Sequence, residues 1–230
     1  MRLRVGTSGF SYKQWRGSFY PADLKPEAFL RFYADQFASV EINNTFYRMP
    51  DPGLLGRWAG ETPADFVFVL KASRRITHDK RLADAESLAY FLEAAAALGG
   101  KLGPLLFQLP PHFKKDSQRL AAFLALIPKQ RTAAFEFRHA SWFDAEVAQL
   151  LREHRAALCM ADTDETPIDA LTLTADWGYV RLRRAAYDEA ALDLWAARLR
   201  QAAWREAFVF FKHEDAGVGP ALARRLLARF

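Results

Sequence analysis

Short apolar or alternating runs recur along the chain, separated by stretches whose apolar positions fall three and four apart. This is the pattern of strands alternating with helices. The runs are Leu3 to Thr7, Ser39 to Asn43, Phe66 to Lys71, Leu105 to Gln108, Ala133 to Arg138, Leu158 to Asp162, Tyr179 to Arg183 and Phe208 to Lys212. Between them lie helical faces: Phe29, Phe32, Tyr33 and Phe37; Leu54, Leu55 and Trp58; Leu88, Phe91, Leu92 and Leu98, stopping at Gly99-Gly100; Leu120, Phe123 and Leu124; Val147, Leu150 and Leu151 behind a capping Asp144; Leu192, Trp195 and Leu199. Eight such units in 230 residues predict an α/β fold, a single (β/α)8 TIM-type barrel over residues 1–230, with room for irregular units. An open doubly wound sheet is the alternative, but Gly6-Thr7-Ser8-Gly9 is too short for a dinucleotide fingerprint.

Composition narrows this little. The chain is 51% hydrophobic and carries 32 Lys+Arg against 27 Asp+Glu, a net +5 that permits an anionic ligand without demanding one. Its lone cysteine, Cys159, lies in an apolar run and reads as a small buried hydrophobe. Met1-Arg2-Leu3-Arg4 turns polar too soon for a secretory signal, and no window reaches the ~20 apolar residues of a membrane span, so the expectation is a cytoplasmic protein.

Parity within the strands adds chemistry. Side chains two apart share a face, and in barrels the working groups gather at the carboxyl ends of the strands. Glu41 with Asn43, Lys71, Gln108, Glu136 with Arg138, Asp162, Arg181 and Lys212 all occur late in their strands. If each polar face looks inward, seven charges meet at one mouth. Burying an ion costs several kcal/mol, so stability explains such a cluster poorly and function explains it better.

The loops at that end bring Tyr47 and Arg48, Arg74 and His78, His139 and Trp142, besides Lys13, Trp15, Arg16, Tyr20, Phe46, His112, Lys114 and Lys115. Basic groups interleaved with aromatics suit an anionic small molecule or single-stranded nucleic acid, and a solvated basic surface is the plain alternative.

Glu41, Glu136, Lys71 and Asp162 are the candidate catalytic groups, the two glutamates as general acid and base. Asn43, Tyr47, Arg48, Arg74, His78, Gln108, Arg138, His139, Trp142, Arg181 and Lys212 are the candidate substrate-binding groups. Hydrolase or lyase chemistry on a phosphate-bearing substrate, nucleic acid included, is the leading expectation. A nucleic-acid-binding module without catalysis and a glycoside hydrolase are the alternatives. A Schiff base on Lys71 is chemically open, with a salt bridge to a nearby acid the simpler expectation. No organic cofactor is expected. The five histidines form no HxH or HExxH pair, which gives a divalent metal weak support, and oligomeric state is not legible.

Several motifs carry a resemblance. Gly6-Thr7-Ser8-Gly9-Phe10-Ser11-Tyr12, Trp15-Arg16-Gly17, Val40-Glu41-Ile42-Asn43-Asn44-Thr45-Phe46-Tyr47, Phe68-Val69-Leu70-Lys71-Ala72, Ile76-Thr77-His78, Leu106-Phe107-Gln108-Leu109-Pro110-Pro111 and Glu136-Phe137-Arg138-His139 with Ser141-Trp142 are similar, in order and number, to the YecE-like family. The resemblance implies a (β/α)8 barrel and brings no reaction, since the family is a domain of unknown function. Arg181-Leu182-Arg183-Arg184 and Phe211-Lys212-His213 depart from the family pattern, where a His-Gly and an asparagine-rich ending are usual.

Overall fold

Apolar alternation yields eight strands that pair only in parallel in the computed structural model, which describes residues 1–230. They are β1 (Arg2–Thr7), β2 (Ser39–Ile42), β3 (Val67–Lys71), β4 (Leu102–Gln108), β5 (Ala133–Glu136), β6 (Ala157–Asp162), β7 (Trp177–Leu182) and β8 (Glu206–Phe211). Their order is β1-β8-β7-β6-β5-β4-β3-β2, so each strand lies beside its sequence neighbour and the last pairs with the first.

The helices are α1 (Phe29–Ala34), α2 (Asn44–Tyr47), α3 (Pro52–Glu61), α4 (Ala85–Ala95), α5 (Ser117–Leu126), α6 (Ala145–Glu153), α7 (Glu189–Gln201) and α8 (Val218–Leu227). This is the expected (β/α)8 barrel with one irregular unit. No helix joins β6 to β7, and Ile168, Leu171 and Leu173 of that connection pack on the core instead. From α3 to α7 each helix starts at an aspartate, Asp51, Asp84, Asp116, Asp144 and Asp188, whose carboxylate accepts from the N–H three residues on. That satisfies one of the donors a helix start leaves free. Past α4 the chain turns at Gly99, whose φ of 56° is a left-handed value that glycine takes without a Cβ penalty.

The barrel closes imperfectly. Between β1 and β2 the regular ladder is replaced by one bridge, Ser8 to Glu41, beyond the end of β1. Below it the Tyr33 hydroxyl of α1 takes the ladder's place, accepting from the Thr7 N–H at 2.8 Å and donating to the Ser39 carbonyl at 3.1 Å. Gly6 makes this approach feasible, because a Cβ there would stand 2.1 Å from the Ser39 oxygen.

Inside the barrel three layers follow from the alternation. The floor is Arg4, which donates from Nε to Glu206 at 2.6 Å and from Nη1 to the Asp65 carbonyl at 3.0 Å. A dry middle holds Val69, Leu106, Ala134, Cys159, Tyr179, Phe208 and Phe210. The upper layer is polar: Glu41, Lys71, Gln108, Glu136 and Arg181, all buried. The larger core lies outside, between strands and helices.

Candidate functional site

Arg181 organises the mouth. From β7 it extends between β2 and β5, with Nη2 donating to Glu41 at 2.8 Å and Nη1 to Glu136 at 2.6 Å. Glu41 also accepts from the Tyr179 hydroxyl at 2.6 Å, the Ser8 hydroxyl at 2.7 Å and the Asn43 amide at 3.0 Å. Glu136 accepts from the Gln108 amide at 2.7 Å and Arg138 Nε at 3.1 Å, with Arg183 Nη1 at 3.7 Å. Both carboxylates are fully buried, and each of their oxygens accepts at least one hydrogen bond.

Burial alone would raise their pKa values. Arg181 and the surrounding donors outweigh it, so Glu41 is held below the ordinary carboxylate value and Glu136 down to about 2. A general acid near neutrality needs the opposite shift. Glu41 and Glu136 therefore hold Arg181, Arg138 and Gln108 in place, and the direction of their shifts suits an ion partner better than the general acid and base expected of them.

Above this layer opens a cavity of about 590 Å³. Lys71, Arg74, Arg138, Arg181, Arg183 and Lys212 line it against one carboxylate, Glu214, with Asn43, Tyr47, His78 and Gln108 completing the expected residues that the fold brings together. Even with the two buried glutamates counted, the mouth is net positive.

The Lys71 amine forms no ion pair or hydrogen bond, contrary to the expected salt bridge. Its Nζ sits 4.0 Å from the centroid of the Phe46 ring. Burial, then Arg181, lower its pKa from 10.5 to about 7, against the opposing pull of Glu41 and Glu136. His78 lies on a single π-helical turn, Arg75–Asp79, edge-on to the same ring at 4.9 Å. Burial, with Lys71 and Arg138 nearby, lowers its pKa to about 4, so it is neutral at neutral pH.

Four expected residues lie elsewhere. Strand β6 has the opposite parity to that assumed: Ala157 and Cys159 fill the barrel, while Leu158 and Met160 face the helices. Asp162 therefore points outward under α7, accepting from Tyr187 at 2.9 Å, Trp195 Nε1 at 3.3 Å, Arg184 at 2.8 Å and the Ile168 N–H at 2.9 Å. Trp142 is a core residue, stacked on Phe137 at 4.7 Å with its indole N–H on the Phe113 carbonyl. His139 accepts from the Ser141 N–H through Nδ1. Arg48 turns away from the mouth to line a smaller neighbouring cavity between α2 and α3.

Four cavity residues were missed: Tyr12, Asn44, Arg183 and Glu214. Arg183 had a signal, since it shares the parity of Arg181. Tyr12 reaches the site because its hydroxyl donates to the Ser8 carbonyl at 2.7 Å, a loop contact with no periodic trace. No three His, Cys, Asp or Glu side chains are grouped as a metal-ion cage would need. No helix is long and apolar enough to cross a membrane.

A nearly closed parallel barrel with its buried polar layer at the carboxyl ends of the strands defines a protein of the TIM-barrel class. The chain belongs to the family described as protein of unknown function DUF72, whose sequence model matches residues 4–230. It is 31% identical over 146 residues to the UPF0759 protein YecE of Escherichia coli K12, a match covering 61% of this chain and 54% of that protein. To the UPF0759 protein YunF of Bacillus subtilis it is 30% identical over 141 residues, covering 55% and 48%. These matches span about half the length of the curated relatives. The crystal structure of a DUF72 family protein from Thermotoga maritima superposes with a TM-score of 0.82 at 27% identity, covering 99% of this chain and 98% of that one. A DUF72 family protein from Enterococcus faecalis gives 0.82 at 19% identity, covering 99% and 94%, and shares the fold.

Proposed function

We propose that this chain is an enzyme acting on a small anionic substrate, a phosphate ester or a carboxylate, held over the strand ends by Arg138, Arg183 and Lys212. The observation that carries the reading is the charge imbalance of the cavity: six basic side chains face it against Glu214. A site that only plugged the barrel would balance its charges, and Glu41 and Glu136 are already committed beneath.

Hydrolase or lyase chemistry fits the titratable groups that face the cavity. Lys71 near pH 7 can take or give a proton at working pH, and neutral His78 can assist beside it. The cationic wall would stabilise negative charge developing on the substrate.

A small ligand is favoured over a nucleic-acid strand because the outer rim does not form a basic, ring-lined track. Lys115 is paired with Asp144 and Glu146, Arg75 with Asp84 and Arg74 with Asp79. Trp15 and Tyr20, expected as stacking platforms, are buried. The test is calorimetric titration with inorganic phosphate, together with turnover across phosphomonoesters. Micromolar to millimolar phosphate binding that weakens at least tenfold in Arg138→Ala supports the reading. Absence of binding by phosphate and by simple carboxylates sinks it.

A further inference from the structure

We infer that Lys71 is a nucleophile that condenses with the carbonyl carbon of an anionic aldehyde, ketone or 2-oxo acid held at the mouth. This rests on the anion-binding reading above and adds the reacting group of the substrate.

Lys71 is the only lysine among the buried residues. It ends β3 on the inward face, in register with Leu106 of β4, so its stem rises through the polar layer and its amine enters the cavity. Nothing in the protein occupies that amine. Arg181 lies between Glu41 and Glu136 and takes both as ion partners, which leaves Lys71 with only the Phe46 face. A structural lysine in a barrel mouth would be expected to hold one of those carboxylates. Here the guanidinium layer has displaced it and repels its proton.

The groups around it complete the requirement. From β5 and its following loop come Glu136 and Arg138, from β7 Arg181, from β4 Gln108, and from the turn after β3 His78. With its pKa near 7, Lys71 is an amine for a large fraction of the time at neutral pH, whereas an ordinary lysine is an amine for roughly four parts in ten thousand.

The step balances without an oxidant or reductant. The Nζ lone pair attacks the carbonyl carbon, forming a C–N bond while the C=O π pair moves to oxygen, which takes a proton. The nitrogen loses a proton, the hydroxyl takes a second proton and leaves as water, and the nitrogen lone pair forms a C=N bond that carries the positive charge. Neutral His78, against the same Phe46 ring, is placed to pass these protons. The resulting cation is an electron sink for cleavage of a neighbouring C–C or C–H bond, which is lyase chemistry.

The experiment is reductive trapping on the full chain. The protein is incubated with pyruvate, glycolaldehyde phosphate or uncharged glycolaldehyde, reduced with sodium borohydride, and read by intact mass and peptide mapping. We expect one adduct, on Lys71, from at least one anionic carbonyl, in at least tenfold excess over any exposed lysine and suppressed by inorganic phosphate. It should vanish in Lys71→Arg and persist in Lys129→Arg, whose site is at the opposite end of the barrel. If wild-type protein binds phosphate yet gives no Lys71 adduct, the nucleophile is overturned while the anion reading stands. If Lys71 is trapped equally by uncharged glycolaldehyde and phosphate does not protect it, the anionic substrate class is overturned.

Discussion

Arg181 Nη1 donates to Glu136 Oε2 at 2.6 Å, and both side chains are 2% exposed. The same guanidinium holds Glu41, so removing it strands two carboxylates in a dry layer. Breaking a buried pair from one side costs about 3–5 kcal/mol, well beyond what a surface ion pair contributes. Arg181→Met should lower stability by at least that much, read as a fall in the urea midpoint.

Acid should act through the same contact. The folded pKa of Glu136 is depressed to about 2 from 4.5, so its contribution is fully present above the unfolded value. It is lost as pH falls from about 4.5 toward 2. Urea midpoints across that window should drop for the wild type and flatten in Glu136→Gln. A midpoint independent of pH would contradict the assignment.

Lys71 acts in the same sense in a higher pH window. Because its folded pKa is lowered to about 7 from 10.5, the unfolded state binds more protons between those values. Stability from this residue therefore rises with pH across that interval. Competitive labelling with trinitrobenzenesulfonate should give Lys71 a midpoint near 7, while exposed lysines follow the ordinary value near 10.4. A Lys71 midpoint above 9 would refute the lowered pKa of its amine.

Asp162 should matter to folding and not to the ligand. Asp162→Ala leaves Tyr187, Trp195 and Arg184 without their shared acceptor, on the order of 3 kcal/mol. Phosphate affinity of the folded variant should stay within twofold of the wild type by calorimetry.

The Tyr33 hydroxyl bridges the strand gap, so Tyr33→Phe orphans the Thr7 N–H and the Ser39 carbonyl. A loss of about 1–3 kcal/mol is expected. Hydrogen exchange at Thr7 should accelerate with it.

What could be read from the chain divides along the same lines. Strand periodicity and the eightfold alternation are local, and they located every strand. Parity says which residues share a face; it does not say which face is inward. For β2, β5 and β7 the inward side was marked by charges opposed to bulky apolar residues. In β6 both faces are apolar, and the small side chains of Ala157 and Cys159 went inside because Tyr179 and Phe210 already fill that layer. Asp162 went out with the rest of its face. Glu41 and Glu136 were placed correctly, but their chemistry depends on how many donors converge on them, which no linear spacing records.

The Arg4 to Glu206 contact closes the amino end of the barrel beneath a dry middle layer. The mouth is therefore a blind cup. Whatever enters must leave by the way it came, past Lys212, Glu214, Tyr47 and Arg74, so a bound ligand has no second exit through the barrel. Binding and release share one doorway, and the loops around it govern both.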